Sequence, residues 1–82
     1  MIIGKVISRV VSTRKNERLT GSKFLVVEPL EKFGIGGFVA VDNVGAGIGE
    51  TVLVATGSAA RVGTGLEMSP VDAVIVGIVD EA

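Results

Sequence analysis

Short apolar runs separated by small and polar residues make up most of the chain. The runs are rich in Val and Ile, and Gly, Ser, Thr, Asn or Pro lies between one run and the next. Runs of β-branched residues bounded by turn residues are typical of β-strands. We therefore predict an all-β fold with five strands, over residues 2–13, 23–29, 38–44, 51–56 and 73–79.

One segment between the fourth and fifth strands predicts a short helical turn. Ser58 is a favourable N-cap, and the alanines at positions 59 and 60 are strong helix formers. Arg61 follows them, and a glycine two residues later would end the turn. Five short strands with one helical turn are typical of a small, five-stranded Greek-key barrel of the OB type. The length of 82 residues corresponds to a single domain over residues 1–82.

The last predicted strand, AVIVGIV at residues 73–79, is apolar at every position. A strand with one face in water should alternate between apolar and polar residues. A continuous apolar run indicates that both faces are covered. Residues 52–55, VLVA, show the same pattern. A helix or loop of the same chain could supply the cover, but few residues remain for it, so we expect a neighbouring subunit.

Composition also favours association. Small domains usually need disulfides, metals or oligomerisation for stability, and this chain has no Cys and no His. Hydrophobic residues make up 48% of the sequence, yet no run approaches the roughly 20 apolar residues of a membrane span. The N-terminus lacks the features of a signal peptide. We therefore expect a cytosolic, oligomeric protein with no membrane partner.

None of the candidate catalytic or binding motifs has all the residues and the spacing that its chemistry requires. The glycine-rich stretch at residues 45–50 has Glu50 where the dinucleotide-binding fingerprint G-x-G-x-x-G needs its last glycine, and a strand follows instead of a long helix. Ser58 has no histidine to activate it. Four carboxylates at strand ends are candidates for an acid pair or a cation site: Asp42, Glu50, Asp72 and Asp80. They have no recognisable loop spacing, so we expect solvated or salt-bridged carboxylates. No enzymatic activity, metal or cofactor is predicted.

An OB-like binding module for single-stranded nucleic acid or a small ligand is the main alternative function. Proteins of that kind stack bases on aromatic side chains in a basic groove. Here Phe24, Phe33 and Phe38 are the only aromatic residues, and the formal net charge is -1. Both observations argue against nucleic acid as a partner.

The run VDNVGAGIGETVLV at residues 41–54, followed by GSAAR at 57–61, resembles the EutN/CcmL family of bacterial microcompartment vertex proteins. MIIGKV at residues 1–6, LTGSKFLVV at 19–27 and PVDAVIVGIVD at 70–80 are also similar to that family. The order and spacing of these segments hold along the whole chain. Ala59 and Ser8 depart from the family pattern, which often has a second Ser and a Gly at these places.

The resemblance implies a structural shell protein, an OB-like barrel that assembles as a cyclic homopentamer. Such rings close the vertices of a polyhedral shell in the bacterial cytoplasm, against hexameric shell tiles. By resemblance, two segments lie near the subunit interface or ring axis: Gly45, Ala46, Gly47, Ile48, Gly49, Glu50, Gly57, Ser58, Ala59, Ala60 and Arg61. Glu50 and Arg61 are candidates for an ion pair within or between subunits.

Overall fold

The computed structural model describes residues 1–12, 17–19, 21–58, 60 and 71–81. All five predicted strands are present within it, but β1 ends at Val10, earlier than the predicted end at residue 13, and β3 ends at Asp42, two residues earlier than predicted. Two short 3-10 turns, Glu17–Leu19 and Glu31–Phe33, were not predicted. The strands are β1 (Ile2–Val10), β2 (Phe24–Pro29), β3 (Phe38–Asp42), β4 (Thr51–Thr56) and β5 (Ala73–Ile78).

The strands close into a barrel in the order β1-β2-β3-β5-β4. Every neighbouring pair is antiparallel except β3 and β5, which run parallel. The long β1 belongs to both halves of the barrel: it pairs with β4 through its first residues and with β2 along most of its length. Its register with β2 shifts between Val6 and Ser8, where a bulge lets the strand bend. The predicted small OB-like barrel is confirmed.

The barrel interior holds the main core. Alternate residues along each strand point inward, as the period of a strand requires. Since the interior is narrow, the side chains that fill it are mainly those of valine and alanine. The buried members of this core are Val6, Leu25, Val27, Ala40, Ala46, Val52, Val54, Ala73 and Ile75.

A second apolar cluster lies on the outside of the barrel. Val74, on the outer face of β5, packs there with Val41 and Ala55 from the neighbouring strands and is fully buried. Ala60 and Val71, from the connection between β4 and β5, complete the cover. The expectation that a neighbouring subunit covers this face is therefore wrong at these positions, because the same chain does so.

Part of the predicted helical turn is described. Ser58 and Ala60 have helical backbone, and the N–H of Ala60 donates to the carbonyl of Gly57 at 3.1 Å. Ala59 and Arg61 lie outside the described residues. In the part of the chain that the structure describes, no helix is long and apolar enough to cross a bilayer.

Candidate functional site

Residues 43–50, which we call the end loop, close one end of the barrel between β3 and β4. The side chain of Ala46 is fully buried in the barrel core. Two backbone hydrogen bonds attach the loop to β1: the N–H of Gly49 donates to the carbonyl of Val6 at 2.8 Å, and the N–H of Val6 donates to the carbonyl of Glu50 at 3.0 Å. The loop is therefore fixed to the barrel at its centre and at its far end.

Asp42, the last residue of β3, organises the start of the end loop. Its Oδ1 accepts three backbone hydrogen bonds, from the N–H groups of Val44, Gly45 and Ala46, at 3.1, 3.2 and 3.1 Å. The side chain is only 2% exposed. An aspartate that binds the backbone two to four residues ahead folds the chain into a tight turn.

Lys23, the residue just before β2, completes this arrangement. Its Nζ lies 3.4 Å from Oδ2 of Asp42 and donates to the carbonyl of Ala46 at 2.8 Å. The backbone N–H of Asp42 also donates to the carbonyl of Lys23 at 2.9 Å, so the two residues are joined through backbone and side chain. One ammonium group thus connects the strand end to the loop.

These contacts set the charge state of Asp42. Burial by itself raises the pKa of the carboxyl group, but the hydrogen bonds from Val44 and Ala46 and the nearby Lys23 ammonium outweigh it. The pKa of Asp42 therefore lies below its ordinary value of 3.8. The carboxylate is ionised, and can accept all these bonds, throughout the neutral and mildly acidic range.

We expect the loop to weaken in acid. Because the folded-state pKa of Asp42 is lower than the unfolded-state value, its contribution to the free energy of unfolding is complete above pH 3.8 and is lost as the pH falls through the folded-state pKa. Urea unfolding of the protein and of the Asp42→Asn variant at pH 6 and at about pH 2.5 measures this contribution. The difference in free energy of unfolding between the two proteins should be smaller at the acidic pH. A difference that stays constant would contradict the stabilising role of the ionised Asp42 carboxylate.

The second half of the loop is held by Glu50. Its Oε1 accepts a hydrogen bond from the N–H of Gly47 at 2.7 Å. Gly45 and Gly49 have φ angles of 81° and 93°, in the left-handed region that favours glycine. Both ends of the loop are therefore closed by a carboxylate, and its two turns require the glycines found there.

The other predicted segment lies at the opposite end of β4. The N–H of Gly57 donates to the carbonyl of Asp72 at 2.7 Å, which ties the segment to the start of β5. The whole of β4 separates Glu50 from Gly57, about 20 Å at the rise of a β-strand. Among the described residues, one subunit therefore keeps Glu50 and Gly57 apart.

The predicted site residues also differ in what they present to solvent. The side chains of Ala46 and Ala60 are fully buried within the subunit, whereas that of Ile48 is 59% exposed and Ser58 is exposed. Val44, 41% exposed on the end loop, was missed by the sequence analysis. Asp42 was expected only to be solvated or salt-bridged. The available signal was an aspartate at a strand end before an Asn-Val-Gly turn.

The end loop is held by hydrogen bonds and has apolar side chains on its surface. In the ranges that the structure describes, no three Asp or Glu side chains converge as ligands for a metal ion. Asp42 and Glu50 accept backbone hydrogen bonds from the end loop, and Val44 and Ile48 are exposed on its surface. The fold and this loop define the class of the protein, a small closed β-barrel of the OB type.

The chain belongs to the EutN/CcmL family. The model of that family, described as ethanolamine utilisation protein EutN/carboxysome, matches residues 1–80. The bacterial microcompartment shell vertex protein GrpN of Rhodospirillum rubrum is 57% identical over 98% of this chain and 93% of its own length. The corresponding EutN of Escherichia coli K12 is 42% identical over 99% of this chain and 88% of its own.

Solved structures show the same relationship. The GrpN structure, described as a pentameric microcompartment shell protein from Rhodospirillum rubrum, covers 100% of this chain and 95% of its own, with a TM-score of 0.84 and 50% sequence identity. CcmL of Nostoc sp. PCC 7120 covers 100% and 92%, with a TM-score of 0.89 and 45% identity. The resemblance found in the sequence is confirmed, and it favours the shell-protein function over a nucleic-acid or ligand-binding module.

Proposed function

We propose that this protein is the pentameric vertex subunit of a bacterial microcompartment shell. The observation that carries the proposal is the identity of 57% with a shell vertex protein over 98% of the chain. The barrel presents exposed apolar side chains on its surface, which association would remove from water. A heterologous contact closes into a ring when its rotation divides the circle, so identical subunits of this shape can form a vertex.

The role is structural. Its relatives are named for their place in a shell, and the organised polar groups of the end loop are used in internal hydrogen bonds. The subunit would work in the bacterial cytoplasm, and its partners would be its own copies and the hexameric tiles of the shell facets. It would catalyse no reaction itself.

The two predicted segments form the contact between neighbouring subunits in this proposal. The end loop and Gly57, where the second segment begins, lie at opposite ends of β4, which suits a contact between one segment of one copy and the other segment of the next. A pair between Glu50 and Arg61 would then join two subunits. The separation of about 20 Å between Glu50 and Gly57 within one chain supports this over an internal pair.

Native mass spectrometry of the purified protein tests the proposal directly. We expect a dominant species of five subunits. Mixing that species with a hexameric shell protein should then give closed polyhedral particles in electron micrographs, whereas the hexamer alone should give sheets or open forms. A stable monomer at micromolar concentration, or closed particles that form equally well without this protein, would overturn the proposed role.

A further inference from the structure

A groove on the outside of the barrel lies between β1, the end of β2 and the glycine-rich segment at residues 34–37. It is lined by Ile7, Glu28, Pro29, Glu31 and that segment, and its volume is about 670 Å³. None of these residues belongs to the two segments that form the ring contact in the proposed function. The groove is therefore separate in sequence from the proposed ring contact, and we call it the wall groove.

A bulge in β1 brings an apolar side chain to the wall groove. Val6 and Ser8 both pair with residues of β2, and the register shifts between them, so Ile7 has no partner on that strand. Bulges of this kind turn a side chain away from the regular alternation of a strand. The side chain of Ile7 is 46% exposed, and that of Ile35, which also lines the groove, is 50% exposed. Two branched aliphatic side chains of the groove are therefore open to water.

Two carboxylates give the wall groove a negative charge. Lys5 lies opposite Glu28 in the register of β1 and β2, and Lys32 follows Glu31 in the sequence. Among the described residues, however, neither Glu28 nor Glu31 forms an ion pair. The ammonium group of Lys32 lies instead 6.0 Å from the centre of the Phe33 ring. Both carboxylates therefore remain available to a cationic group of a partner.

The shape of the wall groove favours a protein segment over a small molecule. Of its lining residues only Pro29 is buried, so a small ligand there would remain largely in contact with water. Sites for small molecules enclose most of the surface of the ligand. An open groove that has both aliphatic side chains and carboxylates is complementary to a segment in which a Lys or Arg lies beside branched aliphatic residues.

We propose that the wall groove binds a basic, aliphatic segment of a hexameric facet tile. This inference rests on the proposed function and adds the surface by which the subunit meets the tile. In that function a subunit has two kinds of partner, its own copies and the tiles. Because the predicted ring segments, residues 45–50 and 57–61, contribute no residue to the wall groove, the groove is assigned to the tile. Its carboxylates select the partner by charge, and docking removes its two isoleucines from water.

Binding of the purified pentamer to a purified hexameric shell tile, measured by biolayer interferometry, tests this assignment. Glu28→Gln/Glu31→Gln should weaken binding about tenfold, because two ion pairs with the tile are lost. Raising the salt concentration should weaken the binding of the unchanged protein much more than that of this double variant. The matched control, Asp80→Asn/Glu81→Gln, removes two exposed carboxylates outside the groove and should leave binding unchanged.

Serine variants test the apolar part of the wall groove. Ile7→Ser and Ile35→Ser should each weaken binding to the tile about tenfold, because each removes an apolar side chain that docking buries. Val11→Ser replaces an apolar residue that is 88% exposed outside the groove, and it should have no effect on binding. Far-UV circular dichroism and native mass spectrometry should show that all variants remain folded and pentameric, since the replaced side chains are exposed.

The outcomes separate this inference from the proposed function. If pentamers form and close shells, but the groove variants bind the tile as tightly as the unchanged protein, the vertex role stands and the wall-groove proposal fails. Loss of the pentamer in folded groove variants would place the groove in the ring contact and would also overturn the proposal. Normal tile binding with loss of binding to an enclosed enzyme would assign the groove to that enzyme, with the same consequence. If the unchanged protein forms no pentamer, the proposed function fails, and this proposal fails with it.

Discussion

Replacing Asp42 by Ala is expected to lower the free energy of unfolding by about 2–3 kcal/mol, in the upper part of the range of about 1.5–3 kcal/mol for hydrogen bonds to a charged group. The substitution removes the acceptor for three backbone N–H groups and the partner of Lys23. The loss is moderate because Lys23 is half-exposed and can be rehydrated. Thermal unfolding followed by far-UV circular dichroism should show a melting temperature about 10–20 °C lower for a domain of this size.

Two other variants make this expectation specific. Asp42→Asn keeps one side-chain oxygen as an acceptor and should lose less stability than Asp42→Ala. Asp80→Ala removes an exposed carboxylate just beyond β5 and should change the free energy of unfolding by less than about 0.5 kcal/mol. All variants must be measured at the same protein concentration, because association of subunits raises the apparent stability. Equal losses for Asp42→Ala and Asp80→Ala would show that the end loop is not held as described.

In the proposed ring, where residues 45–50 contact a neighbouring subunit, the effect of Asp42→Ala should extend to assembly. The bonds of Asp42 place Val44 and the start of the end loop, and the loop presents Ile48. Without them, docking must order the loop, which weakens association even where the barrel remains folded. Asp42, a buried carboxylate that does not itself touch the neighbouring subunit, would in this way control the contact between subunits.

Replacing Gly4 by Ala is expected to destabilise the barrel by about 3 kcal/mol, near the upper end of typical overpacking costs. A Cβ atom at this position would lie 2.7 Å from both the carbonyl oxygen of Glu28 and Cγ1 of Val27, and 3.0 Å from Cα of Pro29. Two of these three atoms belong to the backbone of β2, so relieving the clash requires β1 and β2 to separate. Urea unfolding should show a lower midpoint with a similar slope.

Gly36→Ala is the matched control for this substitution. A Cβ atom at Gly36 meets nothing within 4 Å, and its backbone does not adopt the left-handed conformation. Alanine there should be neutral or slightly stabilising, because it reduces the freedom of the unfolded chain. If Gly4→Ala is as well tolerated as Gly36→Ala, the close approach of β1 and β2 is not a constraint on the fold.

The strands could be predicted because their signals are local. The runs VLVA at residues 52–55 and LVV at residues 25–27 are rich in β-branched residues, and both lie in paired strands of the structure. 

The strand ends were predicted less well, because the hydrogen bonds that end a strand involve other parts of the chain. β3 was expected to continue to Val44, but the side chain of Asp42 takes the N–H group of Val44 and begins the end loop. Asp42, the acceptor, is next to the turn in sequence. Lys23, which binds the Asp42 carboxylate, lies 19 positions before it in the chain. Periodicity contains no information about such a partner.

The sequence by itself determined an all-β, OB-like barrel, its glycine-rich end loop and its family. These follow from short-range patterns and from a resemblance that runs the length of the chain. Only the tertiary structure decided that Val74 is covered by its own chain, that Asp42 and Lys23 hold the end loop, and that Glu50 lies far from Gly57. The reason is physical: burial and ion pairing depend on which distant segments the closed barrel brings together, and a strand's own pattern is the same whichever neighbour covers it.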